Sequence, residues 1–264
     1  MKKAFIAVAV LLMSVSFTFA QGKMQMFQSV APSEAQLLQK NESKLYCPNC
    51  GMNLPKFYKT NHAVQLNDGE VRQYCSIYCL VEEMELTVLR GKKESVEKIM
   101  VVDVPSLKFI DAKSAHYVVG SKKPGTMTTV SKYAFKNLSD AQAFAKENGG
   151  TIATFDEAYK SALTDFAKDT AMVYKKRSSK MYKMGEKLYN QRCDKAQMEK
   201  LDAHTMGDMK ELIKESKVCG EGLNDGQLQG LMLYWWDVRM NKFEQLHGQN
   251  PEVQKHIKMM NKNN

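Results

Sequence analysis

Two close pairs of thiols and one thioether carry the chemistry of this sequence. The first pair lies in Cys47-Pro48-Asn49-Cys50-Gly51-Met52 and the second in Cys75-Ser76-Ile77-Tyr78-Cys79. Cys47 and Cys50 flank two residues, so both sulfurs can face one ion, and Gly51 gives the backbone a positive φ directly after Cys50. Three readings compete. Zinc takes four thiolates in a closed tetrahedron, and CxxC followed roughly 25 residues later by CxxxC fits that pattern. Copper(I) prefers fewer, softer ligands and accepts a thioether, so Cys50, Met52 and one more methionine would suffice. A redox dithiol at Cys47 and Cys50 is the third, although thioredoxin-like sites open a helix directly after a strand, and Gly51 and Pro55 break one. Spacing alone favours zinc; Met52 and an exported setting bring copper level with it.

The elements that must position these residues read as short strands and helices. His62 to Leu66 is a strand, Asn67-Asp68-Gly69 a hairpin turn, and Val71 to Cys75 the returning strand. Ser76 caps a helix that runs to about Arg90 and stops at Gly91, with Ile77, Leu80, Val81, Met84 and Val88 on its apolar face. This start puts Cys75 and Cys79 at a helix N-terminus, where positive partial charge lowers thiol pKa values. Lys98 to Val104 is a further strand. The plan then repeats: strands over Ala115–Gly120 and Thr126–Phe135, a helix capped by Ser139 with Gln142 three residues on, ending at Gly149-Gly150, and a strand over Thr151–Phe155. Asp156 to Phe166 closes the unit as a helix.

The charged stretch 167–182 reads as a linker. Beyond it the chain reads all-helical: Met184 to Gln191, Gly207 to Glu215, a helix capped by Asn224 with Leu228, Leu231, Met232, Trp235 and Trp236 on a broad apolar face, and a polar helix after Pro251. The fold class is therefore α+β, two ββαβ units followed by a small all-α domain. The division is a signal peptide over 1–20, a tether over 21–43, a metal-binding domain over 44–166, the linker and a helical domain over 183–264.

Composition narrows the setting. Lys2 and Lys3 followed by the apolar run Ala4 to Phe19 and Thr18-Phe19-Ala20 have the form of a cleaved export signal. The run is short for a membrane span, and no cysteine follows it to accept a lipid, so the expectation is an exported protein without a permanent anchor. Six cysteines in an oxidising compartment would ordinarily pair, yet their grouping in three local sets argues that at least four serve something else. Loss of Lys2 and Lys3 takes the formal charge from +9 to about +7, with both signs interspersed. No basic block is interleaved with aromatics, which disfavours nucleic acid as a partner.

The Cys-Pro-Asn-Cys-Gly-Met segment resembles the signature of the nitrous oxide reductase accessory protein family, NosL. Tyr74-Cys75-Ser76, Ile110-Asp111-Ala112 with Ala115 to Ser121, the Gly125-Thr126-Met127 turn, and Gly149-Gly150 with Phe155-Asp156-Glu157 resemble its other blocks. The likeness spans Lys44 to Leu163. It implies two related ββαβ units, one bound Cu(I), and delivery of that ion in the periplasm to nitrous oxide reductase or its maturation complex, without catalysis. Carried over, Cys50 and Met52 are the thiolate and thioether ligands and Met127 the third. Cys47, Cys75 and Cys79 are supporting thiols, and because Cys79 stands where members often have another residue, a four-thiolate site stays open. The family's N-terminal lipidated cysteine is absent.

The helical segment resembles a c-type cytochrome in Gly185 to Cys193 and in Leu223 to Trp236, whose aromatic would pack on Gly185. Covalent haem needs Cys-x-x-Cys-His, and Cys193 is followed by Asp194-Lys195-Ala196-Gln197. The resemblance implies a haemless module in which Cys193 and Cys219 form a disulfide. Elsewhere the plainer reading is preferred. His62 and His116 are solvated strand residues, Met24 and Met26 belong to the tether, and Trp235 and Trp236 are packing residues. Met172, Met181, Met184, Met198, Met206 and Met209 are core methionines rather than a second copper store.

Overall fold

The computed structural model describes residues 26–40, 43–89 and 95–240. The export signal, Met24 and the helix after Pro251 lie outside them. Two small antiparallel sheets and a set of helices make the protein α+β. The first sheet uses strands β1 (His62–Leu66), β2 (Val71–Tyr74), β3 (Val96–Val102) and β4 (Phe109–Asp111), in the order β2-β1-β3-β4. The β1–β2 turn is set by Gly69 at φ +85° and by Asp68, whose carboxylate accepts the Glu70 N–H. Helix α1 (Ile77–Leu89) follows β2 directly and buries Ile77, Leu80 and Val81. Val88, expected on its apolar face, is exposed, because only the first turns of α1 lie over the sheet.

The second sheet has β5 (His116–Val119) between β6 (Lys132–Phe135) and β7 (Thr151–Ala153), with α2 (Leu138–Asn148) joining β6 to β7. In both sheets the first strand is central and antiparallel to its neighbours. Strand β6 begins at Lys132 rather than Thr126, because Met127 takes a left-handed φ of 57° and turns residues 120–131 into a loop. Helix α2 begins ahead of Ser139, with Asn137 at its N-cap position. Strand β7 ends at Ala153 because Thr154 and Glu157 form a capping box that starts α3 (Phe155–Lys176). One core joins the sheets: Val64, Leu80, Val101, Tyr117, Phe155 and Ala158 share it with all four free cysteines.

Two expected connectors are structured. Residues 26–40 are held along the domain instead of standing free. Val30 N–H donates to Pro55 O, Gln36 N–H to the Tyr58 hydroxyl, and the buried Gln39 amide spans Ser43 O, Tyr46 O and the Gln73 N–H. The stretch 167–182 is helix throughout. α3 passes into a π-helical turn, Arg177–Met181, and on into α4 (Tyr182–Arg192) with helical backbone angles at both junctions. Arg177 is satisfied across this turn by Asp237, 3.2 Å away and sixty positions on, a partner that no local pattern reveals.

The helical module adds α5 (Lys195–Met198), α6 (Met206–Glu215) and α7 (Asp225–Leu233), the last capped by Asn224 and Gln227 and running into a second π-helical turn, Tyr234–Arg239. Tyr189, Met198, Met209, Leu231, Met232 and Trp235 form its core. Helices α4 and α7 cross at Gly185, where an added Cβ would lie 2.1 Å from Gly230 O and 2.6 Å from Tyr234 Cβ. Cys193 and Cys219 are disulfide-bonded, tying the end of α4 to the segment after α6. Among the described residues, no helix is long and apolar enough to cross a membrane.

Candidate metal centre

The Cys47–Met52 segment folds as a tight knuckle. The Cys47 N–H donates to Met52 O at 2.9 Å and the Gly51 N–H to Cys47 O at 2.8 Å, with Tyr46 bridged to Asn53. Gly51 has φ +69°, the conformation that lets the chain turn back immediately after Cys50. The second pair comes from the β2–α1 junction, Cys75 at the end of the strand and Cys79 one turn into the helix. The short turn between β2 and α1 brings these two together, and their Sγ atoms are 3.7 Å apart.

All four sulfurs converge. They lie within 4.8 Å of one another, Cys50 Sγ is 3.5 Å from Cys75 Sγ, and each cysteine is 0–1% exposed. A central ion about 2.3 Å from four sulfurs in a tetrahedron separates them by about 3.8 Å. The thiols are therefore already at the spacing that one soft ion requires.

Protonation is uneven across Cys50, Cys75 and Cys79. Burial opposes charge on Cys50. Hydrogen bonds from the Cys47, Cys75 and Cys79 thiols, and one from the Met52 backbone, overcome it and hold Cys50 well below the usual thiol range. Cys75 and Cys79 are pushed well above that range, because they donate to Cys47 and Cys50 and are buried besides. This corrects the expectation that the helix N-terminus would make thiolates of Cys75 and Cys79. In a shared cluster the first proton leaves easily and each later one leaves against negative charge, so the thiolate settles where most donors point.

The thioethers stand at the margin. Met127 Sδ is 3.6 Å from Cys79 Sγ and 3.9 Å from Cys75 Sγ. Its loop is anchored on both sides. Thr60 Oγ1 lies 2.7 Å from Thr126 Oγ1 and 2.9 Å from Cys75 O, and Thr129 donates its N–H and hydroxyl to buried Asp169 of α3. Met52, half-buried, packs against the same core. The site is thus a closed set of four thiols with the half-buried Met127 thioether beside it and Met52 packed against the same core.

Other polar residues approach the site. Asn49 donates to Cys79 O at 3.1 Å and lies 3.5 Å from Glu82, whose carboxyl is raised to about 7 by loss of surrounding water. Arg177 faces Glu82 and Cys50; burial works against its charge, but Asp237 holds it fully charged.

His62 is a correction: it is buried, not solvated. Its ring nitrogens meet Thr60 O at 3.1 Å and the Tyr117 hydroxyl at 3.2 Å, and burial lowers its pKa to about 4. The reason is that β1 is central in its sheet and covered on both faces. His116 is half-exposed, and Met198 and Met209 sit in the helical core, as do Trp235 and Trp236.

Among curated proteins, none matches this sequence. Among solved structures the chain is similar to the copper chaperone NosL from Shewanella denitrificans, at 26% identity over 48% of this chain and 96% of that one, with a TM-score of 0.35. Residues 39–163 match the family model NosL. The matched segment holds all four free cysteines, Met52 and Met127, and ends inside α3, so the helical module lies outside it.

Proposed function

We propose that residues 44–166 bind one Cu(I) as cargo and pass it to a partner protein by ligand exchange. The observation that carries this reading is the Met127 thioether beside Cys75 and Cys79. A thioether adds nothing to a closed four-thiolate zinc site but is a good Cu(I) ligand. The match of residues 39–163 to NosL, the family whose resemblance implies Cu(I), supports the same choice.

Cys50, toward which the hydrogen bonds of the other thiols point, takes the ion first. The other thiols shed their protons as it enters, and Met127 and Met52 hold the exit. A methionine, cysteine or histidine of the recipient then replaces a thioether at the half-exposed edge. Metal moves without a covalent bond being made in any substrate, so the protein is read as a carrier and not an enzyme. The exported location, nitrous oxide reductase or its maturation complex as recipient, and duplicated ββαβ units belong to the same proposal. The helical domain is read as a haemless, cytochrome-like module, supported by the Gly185 crossing and the Cys193–Cys219 bond.

One observation favours a second reading. Four fully buried thiols at tetrahedral spacing also suit a structural zinc. Titration of anaerobically purified protein with Cu(I) and Zn(II), against competing chelators, separates the two. The expected result is one equivalent of Cu(I), tighter than zinc, with Met127→Leu weakening Cu(I) about tenfold and zinc little. One equivalent of zinc that Cu(I) cannot displace would sink the carrier reading.

A further inference from the structure

The helical module ends its contacts on the metal knuckle itself. Lys210 of α6 is fully buried and spends all three of its N–H donors: on Gly51 O at 3.0 Å, Asp225 Oδ1 at 2.7 Å and Gln229 Oε1 at 3.0 Å. Its ammonium also lies 4.2 Å from the Tyr46 ring centroid. Gln229 of α7 donates to Cys50 O at 2.7 Å, and the Met206 N–H, at the start of α6, donates to Pro48 O at 3.0 Å. Gly207 approaches so closely that a Cβ there would sit 3.2 Å from both Tyr46 O and Cys47 O.

The carbonyls of Pro48, Cys50 and Gly51 are thus each capped by a donor from one module. The Cys47 carbonyl is satisfied within the knuckle by Gly51.

This is more than packing. Burying a lysine is costly unless its charge is met, and an apolar residue of similar size would fill the space more cheaply. A fully satisfied polar network, by contrast, fixes one geometry. Resting on the metal-binding reading, we propose that the helical module is a lock on the thiol knuckle, with Lys210 as its positioning residue. With α6 and α7 in place, Cys47 and Cys50 are held toward Cys75 and Cys79. A recipient that draws α6 and α7 away frees the knuckle and opens the cluster. The lock places release under control of a part of the chain that contributes no sulfur to the site.

The test compares wild type, Lys210→Met and the milder Gln229→Leu in the full chain. Iodoacetamide alkylation of the reduced, metal-free cluster is followed cysteine by cysteine, and transfer of bound Cu(I) to bicinchoninate is timed. The expected result is alkylation of Cys47 and Cys50 faster by about tenfold in Lys210→Met, with Cys75 and Cys79 lagging, and faster Cu(I) transfer. General destabilisation would expose all four cysteines together, and that outcome overturns the lock, as does a change under twofold in both variants. If Lys210→Met does not fold, Gln229→Leu carries the same two readings. Selective alkylation of Cys47 and Cys50 in a protein that binds no Cu(I) would keep the lock and refute the copper reading.

Discussion

Replacing Gly51 with alanine tests whether the knuckle is held by backbone conformation and by the module above it. Gly51 has φ +69°, where an L-residue costs roughly 1–2 kcal/mol. The new Cβ would fall 2.3 Å from Met232 Cε, a flexible end but one in a fully buried side chain. Moving that methyl off its rotamer costs about 0.5–1.5 kcal/mol. The sum is about 1.5–3.5 kcal/mol, or near a 1 M fall in urea midpoint at a slope of about 2–3 kcal/mol/M. Urea unfolding of the reduced, metal-free protein, followed by fluorescence of Trp235 and Trp236, measures it. Adding Met232→Ala should recover the clash but not the φ cost, a favourable coupling of about 0.5–1.5 kcal/mol. A Gly51→Ala protein within about 0.5 kcal/mol of wild type, or a coupling of zero, would refute the reasoning.

His62 gives the acid limb. Its pKa falls from the usual 6.5 to about 4 in the fold, so stability is full above pH 6.5 and declines as pH drops toward 4. The loss is roughly 3 kcal/mol over that window, and melting temperature against pH should flatten there in His62→Asn. Removing the Cys193–Cys219 bond, with a sequence separation of 26, should cost about 3.5 kcal/mol by loop-closure entropy. The double serine variant checks this in urea. Gly185→Ala drives a Cβ into backbone at Gly230, with no flexible atom to yield, and should cost more than about 2 kcal/mol. A loss of near-ultraviolet circular dichroism from the Trp235 environment would report it.

Features written in neighbouring residues were readable from the sequence. The Asp68-Gly69 turn and the Asn224 cap depend on residues within three positions, and both are where local chemistry puts them. The two thiol pairs were visible as spacings. Their convergence on one ion was expected from the same spacings, and all four sulfurs do lie within 4.8 Å of one another. Cys75 and Cys79 sit beside a helix N-terminus, yet the hydrogen bonds among the thiols lower Cys50 and raise those two, a pattern that spacing does not contain. His62 was misread because strand alternation cannot tell an edge strand from one covered on both faces. Residues 167–182 looked like a linker because Lys175-Lys176-Arg177 is charged, and Lys210 lies in an ordinary polar stretch of α6. The partners of Arg177 and Lys210 are supplied by chain far away, so no window of sequence contains the reason for their placement.

The π-helical turn Arg177–Met181 keeps a rotational phase. A π turn accommodates an inserted residue within a continuous helix, and each residue turns an α-helix by about 100°. The helical module therefore meets the thiol domain at an azimuth written into the α-helical part of the rod. Deleting Ser179, which the turn can take up by closing to α-helix, would keep that azimuth, whereas deleting one residue from the α-helical part of the rod would swing α6 and α7 about the helix axis by about 100° and away from Pro48, Cys50 and Gly51. The second deletion, silent in composition and in either core, would leave every sulfur present and the two halves out of step.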